Sequence, residues 1–259
     1  MYYAGVDVGA ATGKVVILGE EGEMVGFSIV PTGASSRRAA EVALEKALEK
    51  AGLGRDLVGP VVATGYGRTS VDYAERQVTE ITCHARGAYH LYPQARTVID
   101  IGGQDSKVIL IGPKGRVLDF LMNDKCAAGT GRFLEVMARA LELDIEELGE
   151  VGLRARRPVS ISSTCTVFAE SEVVGLVAEG VSREDIVAGL HKAIARRIGA
   201  MAARVGFVPP VIMAGGVAKN RGAVKALEEE LGVSLIVPEE PQIVGALGAA
   251  LLAREAGSR

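Results

Sequence analysis

The chain has 259 residues, of which 48% are hydrophobic and 24% are charged. This composition is typical of a folded globular protein with a sizeable core, and it excludes a largely disordered chain. The formal net charge of −3 gives no electrostatic reason to expect nucleic acid or an anionic membrane as a partner. Apolar stretches stay short of the roughly 20 residues that span a bilayer, and no basic region of a secretory signal is apparent, so we expect a cytoplasmic protein.

Three cysteines occur in the chain: Cys83, Cys126 and Cys165. Their odd number and the absence of a CxxC pair exclude a secreted disulfide framework and the usual zinc-finger and thioredoxin spacings. Free cysteines in cores behave as small hydrophobic residues, so a buried structural role is the simplest interpretation of all three. A ligand role stays open for Cys126 and Cys165, because both precede predicted helices.

An internal repeat organises the chain: residues 6–27 align with residues 99–120 without a gap, at an offset of 93. Identical residues recur in the two copies: Asp7 with Asp100, Gly9 with Gly102, Lys14 with Lys107, Val15 with Val108, Gly19 with Gly112, Gly22 with Gly115, and Phe27 with Phe120. We infer two related subdomains, residues 1–94 and 95–259, each opening with the same three-stranded unit. The final helix can pack back on the first subdomain.

Both copies predict short strands joined by glycine turns, because β-branched runs favour strands and glycine accepts the positive φ of a tight turn. The predicted strands are 3–8, 14–18 and 23–29 in the first copy, and 97–101, 107–111 and 116–121 in the second. Apolar residues at helical spacing predict amphipathic helices over 36–51, 130–141, 168–178, 183–205 and 245–254. One more buried strand is predicted over 211–213, and the whole pattern indicates an α/β fold.

Local sequence marks several helix ends. Gly52 ends the first predicted helix, and Gly206 ends the long helix before the pair Pro209 and Pro210. Ser182 followed by Asp185 is a variant of the capping box and predicts the start of that long helix.

The two Asp–x–Gly turns favour phosphate binding. Their backbone N–H groups can face an anion, and the paired carboxylates Asp7 and Asp100 suit Mg²⁺, which protein sites bind through one or two carboxylates and phosphate oxygens. A single turn of this kind is ordinary in any hairpin, whereas two copies in one register are not. The predicted nucleotide contacts of the turns are Gly9, Ala10, Ala11, Thr12, Gly13, Lys14, Gly102, Gly103 and Asp105.

A third glycine turn follows the strand at 211–213. Consecutive glycines there permit close approach of a base or ribose, and Asn220 begins or caps the next helix. The predicted adenosine contacts are Gly215, Gly216, Val217 and Asn220. Together the three patterns resemble the actin, Hsp70 and sugar-kinase superfamily, whose ATP lies between two duplicated RNase-H-like subdomains. The Rossmann GxGxxG and the P-loop GxxxxGK[ST] are absent.

Cys126 and Cys165 each lie just before a predicted helix, among small residues. A helix N-terminus stabilises a thiolate through its dipole and free N–H groups. Two thiolates are too few for a cubane cluster, which takes about four, whereas a two-fold homodimer supplies two plus two. Cluster ligands and buried structural cysteines remain equally weighted interpretations at this point.

Longer motifs resemble the activator component of 2-hydroxyacyl-CoA dehydratases, to which ATP-binding subunits of benzoyl-CoA reductases are related. The two cysteine segments, NDKCAAGTGRFLEVMA and ISSTCTVFAESEV, carry this resemblance. The segments ATGYGR, CHARGA, VIDIGGQD, GGVAKN and GALGAAL fit the same family, so the resemblance runs from about residue 3 to residue 254.

This resemblance implies a homodimer with one [4Fe-4S] cluster, bridged by Cys126 and Cys165 of each subunit, and MgATP in each subunit. It implies ATP-driven transfer of one low-potential electron, from a donor such as ferredoxin or flavodoxin, to a partner dehydratase or related reductase. It also implies oxygen sensitivity, a role for Gln104 in orienting the attacking water, and a place for Gln242 near the nucleotide.

One departure concerns the first turn, where the family commonly has Ser and Thr and this chain has Ala10 and Ala11. Backbone contacts to phosphate survive this change, but a side-chain hydroxyl contact does not, so nucleotide affinity and hydrolysis rate stay open. The alternatives are the ATP-binding subunit of a benzoyl-CoA-type reductase, a cluster-free small-molecule kinase, for which no candidate base is found, and a non-redox ATP-dependent assembly factor.

Four further features have ordinary structural interpretations, and two of them also have a functional alternative. Cys83 with His84 is a core cysteine rather than a metal pair, and His90 and His191 are ordinary polar positions. The basic run Arg154, Arg156 and Arg157 is a solvated loop or, more sharply, a docking contact for the acidic rim of a dehydratase.

Overall fold

The structure is a computed structural model that describes residues 1–162 and 165–257. Ser163 and Thr164, which belong to the second cysteine segment, lie outside the described residues. The strands are β1 (Tyr2–Val8), β2 (Thr12–Leu18), β3 (Met24–Pro31), β4 (Val58–Thr64), β5 (Arg76–Gln77), β6 (Thr97–Ile101), β7 (Ser106–Ile111), β8 (Val117–Asn123), β9 (Val211–Ala214) and β10 (Leu235–Ile236). The α-helices are α1 (Ser36–Ala51), α2 (Glu80–Leu91), α3 (Gly131–Ala140), α4 (Leu148–Leu153), α5 (Thr166–Ala178), α6 (Arg183–Val205), α7 (Arg221–Leu231) and α8 (Val244–Gly257).

The strands form two five-stranded sheets with the same topology. The first has the order β3-β2-β1-β4-β5, and the second has the order β8-β7-β6-β9-β10 when it is taken from the matching edge. Each strand of the first sheet therefore has a counterpart at the same place in the second. The predicted α/β fold with a duplicated three-stranded unit is confirmed.

The chain forms two compact units. The first comprises residues 1–98, 111–119 and 238–259, and the second comprises residues 99–110 and 120–237. Helix α8 belongs to the first unit, although it follows the second copy of the repeat in the chain. The predicted division after residue 94 concerns the two copies of the repeat, whereas the compact units are groups of residues that contact one another. The division therefore stays a prediction.

In the first unit, alternate residues of β2 enter two different hydrophobic clusters. Val15 and Ile17 pack with residues of α1, whereas Val16 and Leu18 pack with residues of α8. Successive side chains of a strand point to opposite faces, so the sheet is covered by a helix on each side. Apart from Asp7, Thr12 and Lys14, the residues of β1 and β2 are consequently apolar or glycine, and both strands are almost entirely buried.

Helix α8 lies backbone to backbone against its neighbours. A Cβ at Gly248 would collide with the carbonyl oxygen of Cys83 in α2, and a Cβ at Gly87 would collide with that of Val244. A Cβ at Gly5 of β1 would likewise meet the backbone of Ala246. The glycines are required because only a missing side chain permits this approach.

The second unit is built around α6, whose ends lie where the sequence predicts. The Ser182 hydroxyl accepts a hydrogen bond from the Asp185 N–H at 3.2 Å, and Gly206 ends the helix with φ at +72°. Apolar residues of α6, including Ile186, Leu190 and Ile198, pack with β6, β7, β9 and α3 in one large cluster.

His191 departs from its expected place as an ordinary polar position. It is buried on α6 between two glycines, since a Cβ at Gly152 or Gly222 would lie 2.7 or 2.6 Å from its Nδ1. Burial lowers the pKa of His191 to about 4, and its Nε2 has no hydrogen-bond partner among the described residues. The imidazole is therefore neutral at pH 7 and acts as a packing group.

None of the helices in the described ranges combines the length and the apolar character needed to cross a membrane.

We expect Gly248→Ala and Gly87→Ala each to lower the free energy of unfolding by about 1–3 kcal/mol, because the new methyl group forces two backbones apart. Urea unfolding measures this change. Gly175→Ala is the control: nothing lies within 4 Å of its Cβ position in α5, so it should be neutral or stabilising by up to about 1 kcal/mol. Equal losses for the three variants would contradict the close packing of α8.

The buried His191 predicts a loss of stability in mild acid. The unfolded chain protonates this histidine near its usual pKa of 6.5, whereas the folded chain does so only near 4. Stability is therefore fully present above about pH 6.5 and declines as pH falls towards 4, by at most about 3 kcal/mol.

The slope of unfolding free energy against pH tests this. His191→Asn should flatten the decline between these pH values, whereas His90→Asn, at an exposed position, should keep most of it. Comparison of slopes separates the proton effect from the packing that the variant loses. An unchanged slope in His191→Asn would show that other groups cause the decline.

Candidate functional site

The first Asp–x–Gly turn joins β1 to β2 and is held from β3. The Gly9 N–H donates to the carbonyl of Thr12 at 3.0 Å, and the Thr32 hydroxyl donates to the carbonyl of Gly9 at 2.8 Å. Among the described residues, the N–H groups of Ala10 and Ala11 have no hydrogen-bond partner. Ala11 is exposed, so the turn can present backbone donors to an anion.

The second turn repeats this geometry between β6 and β7. The Gly102 N–H donates to the carbonyl of Asp105 at 2.9 Å. Its carbonyls are held by the first residues of α3, since Gly131 and Arg132 donate to Gly102 and Gly103, both at 2.8 Å. Gln104 lies at the exposed tip of this turn.

Each turn contains a buried aspartate paired with a lysine from the next strand. Lys14 Nζ lies 3.3 Å from Asp7 Oδ2, in agreement with the antiparallel register that places the two residues opposite each other. Lys107 Nζ lies 3.1 Å from Asp100 Oδ2. The side chain of Lys107 is 2% exposed, against 13% for Lys14.

The two turns differ in charge. Lys107 also lies 2.8 Å from Asp105 Oδ1, and the repeat places Thr12 where the second turn has Asp105. The first turn thus pairs one carboxylate with one lysine, and their formal charges cancel. The second turn has two carboxylates and one lysine, which leaves one excess negative charge. This excess gives the second turn the better cation-binding environment.

A glycine in the left-handed region supports each aspartate from the neighbouring parallel strand. Gly65 follows β4 with φ at +84°, and its Cβ would collide with Asp7 Oδ1. Gly215 follows β9 with φ at +85°, and its Cβ would lie 2.8 Å from Asp100 Oδ1. Sequence reasoning identified Gly215 but missed Gly65, although the ATGYGR segment places it just after a run of small apolar residues.

Behind Asp7 lies a group of side chains that sequence reasoning did not connect with it. A Cβ at Gly245 would lie 3.0 Å from Asp7 Oδ2 and 2.8 Å from His84 Cε1, so the imidazole edge and the carboxylate meet at this glycine. The Nδ1 of His84 lies 2.9 Å from the carbonyl oxygen of Glu80. Burial raises the pKa of the neighbouring Cys83 to about 12, in agreement with its expected role as a core residue.

The third glycine turn forms as predicted. After β9, Gly215 leads into a 3-10 helix over Gly216–Lys219, in which Gly216 is exposed and Val217 is buried. Asn220 caps α7 by accepting a hydrogen bond from the Ala223 N–H at 2.9 Å. The exposed glycine leaves space for a flat group against the backbone.

Gln242 belongs to the first unit, in a 3-10 helix over Pro241–Ile243 that contacts β2 and β3. Its N–H donates to Glu240 Oε1 at 3.2 Å. The second unit contains Gln104 and Asp100 together with the third glycine turn, so Gln242 and Gln104 do not share a compact unit.

Cys126 and Cys165 both lie in the second unit, free and half-buried, unlike the buried Cys83. Cys165 is the N-cap residue of α5, as predicted. Cys126 is not at a helix N-terminus, because its loop continues to the start of α3 at Gly131. Asn123 fixes that loop by donating from Nδ2 to the carbonyls of Cys126 and Ala128 at 2.8 and 3.3 Å.

Helix α5 exposes large apolar side chains over most of its length, and it has Ala169 and Val173 as its buried residues. The exposed fractions are 65% for Val167, 69% for Phe168, 54% for Val174 and 42% for Val177. We call these four residues the α5 apolar face. Several large apolar side chains exposed on one helix are typical of an interface.

Comparison with known proteins shows that the sequence is similar to dehydratase activators over its whole length. The chain is 50% identical over 259 residues to the activator of lactoyl-CoA dehydratase from Anaerotignum propionicum, covering all of both chains. It is 49% identical over 253 residues to the 2-hydroxyisocaproyl-CoA dehydratase activator from Clostridioides difficile, covering 98% of this chain and 95% of that one. It is also 34% identical over 259 residues to a benzoyl-CoA reductase subunit from Thauera aromatica, covering 96% of this chain and 91% of that one.

Solved structures agree with the fold. The activator of the 2-hydroxyisocaproyl-CoA dehydratase from Clostridium difficile with bound ADPNP superposes with a TM-score of 0.95 at 47% identity, covering 100% of this chain and 96% of that one. A ROK family glucokinase from Streptomyces griseus shares the fold alone, with a TM-score of 0.61 at 17% identity, covering 98% of this chain and all of that one. The family model for the BadF/BadG/BcrA/BcrD ATPase family matches residues 4–253, and the chain belongs to that family.

Proposed function

We propose that this chain is an ATP-hydrolysing activator of a 2-hydroxyacyl-CoA dehydratase and that it works as a homodimer. Each subunit binds MgATP, and Cys126 and Cys165 of both subunits hold one [4Fe-4S] cluster. ATP hydrolysis drives the passage of an electron from ferredoxin or flavodoxin to the dehydratase. The observation that carries the proposal is Cys165, a half-exposed free cysteine that caps a helix with an exposed apolar face.

The two turns supply the nucleotide contacts. Backbone donors of Ala10, Ala11, Gly103 and Gln104 bind phosphate oxygens, and the loss of hydroxyls at the first two positions leaves these backbone contacts in place. Mg²⁺ binds on the side of Asp100, where the excess carboxylate of the second turn favours a cation. Gln104 orients the attacking water from the exposed tip of that turn.

Cys126 and Cys165 fit the cluster because they are free and partly accessible. The cluster supplies one-electron chemistry at low potential when it is bound. Cys165 is positioned by the start of α5, of which it is the N-cap residue, whereas Cys126 depends on its loop for position. A cluster held at the interface between two subunits would be accessible to oxygen, so we expect the protein to be oxygen-sensitive.

The homodimer is proposed from the ligand count. Cys126 and Cys165 supply two thiolates per chain, whereas a cubane cluster takes about four, so the proposed cluster requires cysteines from two copies. The α5 apolar face begins two residues after Cys165, and a second copy on a two-fold axis would cover it. One interface then buries the apolar face and unites four cysteines.

Hydrogen bonds connect the second turn to the cysteine loop. Gly131 and Arg132 start α3 and donate to the carbonyls of Gly102 and Gly103, so a shift of the turn on loss of the γ-phosphate moves the start of α3. The loop that carries Cys126 leads directly into this helix. We propose this as the route by which the nucleotide state reaches the cluster ligand.

Anaerobic purification tests the proposal. The wild-type protein should be brown with about four irons per dimer, should hydrolyse ATP and should activate a 2-hydroxyacyl-CoA dehydratase. Cys126→Ser should lose the iron and keep nucleotide binding, because the cysteine loop lies outside the phosphate turns. Cys83→Ser is the matched control and should keep the iron, and a colourless wild-type protein would refute the cluster.

The charge difference between the turns gives a second test. Asp105→Thr makes the second turn resemble the first, so we expect the Mg²⁺ concentration for half-maximal ATPase activity to rise by about tenfold or more, equivalent to about 1.4 kcal/mol. Asp144→Asn removes an exposed carboxylate of the same unit and should leave it unchanged. An unchanged Mg²⁺ requirement in Asp105→Thr would place the cation elsewhere.

A further inference from the structure

We propose that the loop formed by residues 154–157, here called the basic loop, is a docking surface for an acidic patch on the dehydratase. This inference rests on the proposed function, since it names the surface through which the activator meets its partner. The basic loop follows α4 and carries three exposed arginines: Arg154, Arg156 and Arg157.

The backbone of the basic loop is fixed by one carboxylate. Asp185 Oδ1 accepts hydrogen bonds from the N–H groups of Arg156 at 2.9 Å and Arg157 at 2.7 Å. The Ser182 hydroxyl donates to Oδ2 of the same carboxylate at 2.8 Å. Hydrogen bonds from the Arg157 N–H, the Ser182 hydroxyl and the Arg156 N–H hold the pKa of Asp185 below its usual range. The carboxylate therefore stays ionised at neutral pH and keeps the loop in place.

The guanidinium groups of the basic loop have no carboxylate within ion-pair distance among the described residues. Arg156 contributes by electrostatics to the lowered pKa of Asp185, so part of its charge is compensated. Three other exposed arginines of the same unit form ion pairs: Arg132 with Glu135, Arg183 with Glu142, and Arg221 with Glu150. Arg139 and Arg204 are also exposed, but they stand singly, whereas the basic loop brings three arginines together within four residues of a backbone that Asp185 holds in place.

The chemistry of the basic loop favours a protein surface over a small anion or nucleic acid. Its N–H groups, which could bind a phosphate, are already used by Asp185, so side chains alone are available. The net charge of −3 argues against nucleic acid. Arginine forks match carboxylates in bidentate geometry, so aspartate and glutamate side chains of a partner are the fitting ligands.

The place of the basic loop in the chain connects it with electron transfer. Arg157 precedes Cys165 by eight residues, a stretch that spans at most about 28 Å. Val159, near the start of this stretch, is held to the start of α6, because its N–H donates to the carbonyl of Asp185 at 3.2 Å. A partner steered to the basic loop therefore docks at most about 28 Å from the proposed cluster ligand, and charge steering of this kind is typical of short-lived electron-transfer complexes.

The test compares two double variants of the full chain, each of which reverses two positive charges. Both variants and the wild-type protein are purified anaerobically. Arg154→Glu with Arg157→Glu alters the basic loop and leaves Arg156 beside Asp185. Lys192→Glu with Lys225→Glu makes the same charge change at exposed positions of α6 and α7. The readout is the rate at which each protein activates a 2-hydroxyacyl-CoA dehydratase that the wild type activates, with ATPase activity and iron content measured alongside.

We expect the loop reversal to slow activation by about tenfold or more at low salt, with ATPase activity and iron content unchanged. Wild-type activation should slow as NaCl is raised, and the loop variant should lose this salt dependence. The lysine reversal should retain at least about half of the wild-type rate. Arg154→Gln with Arg157→Gln, a milder change, should give an intermediate rate even where the reversal disturbs folding.

Two results would overturn the docking surface: wild-type activation rates in both loop variants, or equal losses in the loop and lysine reversals. The first would show that the arginines do not meet the partner, and the second that only net charge matters. Failure of the proposed function is distinct, because it appears in the wild-type protein as missing iron or as no activation of any dehydratase.

Discussion

The fold depends on burying an aspartate at the end of the central strand of each sheet. A buried carboxylate is costly unless a cation and hydrogen bonds compensate it, and each hairpin supplies a lysine from the next strand. Asp7 with Lys14 and Asp100 with Lys107 are the results. Because the lysines fix the carboxylates, each turn between them can present its backbone outward rather than collapse on the charge.

The two copies of this unit have turns that differ in charge. The repeat retains the aspartate, the glycine and the lysine, and it changes the residues at the tip. Thr12 and Asp105 occupy equivalent places, and only the latter adds a carboxylate to the lysine. A single side chain thus gives one copy a balanced charge and the other an excess negative charge, which suits a phosphate contact and a cation contact respectively.

Local sequence predicts the elements whose ends it encodes. The bounds of α1 and α6 were predicted to the residue because Gly52, Ser182 and Gly206 act on neighbouring backbone groups. The strands β4, β5 and β10 were missed. Strands β5 and β10 have two residues each and carry no periodicity, and β4 contains Gly59 and Pro60, which are disfavoured in strands. The burial of His191 was not predictable, since it arises from glycines that are distant in sequence.

The candidate site likewise combines features that local sequence encodes with features that depend on distant segments. The two Asp–x–Gly turns and the third glycine turn were predicted from motifs. By contrast, the support of Asp7 by Gly65 and its meeting with His84 at Gly245 depend on how β4, α2 and α8 pack. Such contacts join segments far apart in the chain, and no local pattern encodes them.

The packing of α8 has a consequence for synthesis. The helix contributes residues 244–257 to the first unit, so this unit lacks one of its two covering helices until those residues have been translated. Domains generally fold from the N-terminus as they leave the ribosome, but here all residues of the second unit are made before the first is complete. Newly made chains can therefore complete the cysteine-bearing unit before the first unit, and deletion of α8 would uncover one face of the sheet that carries the first turn.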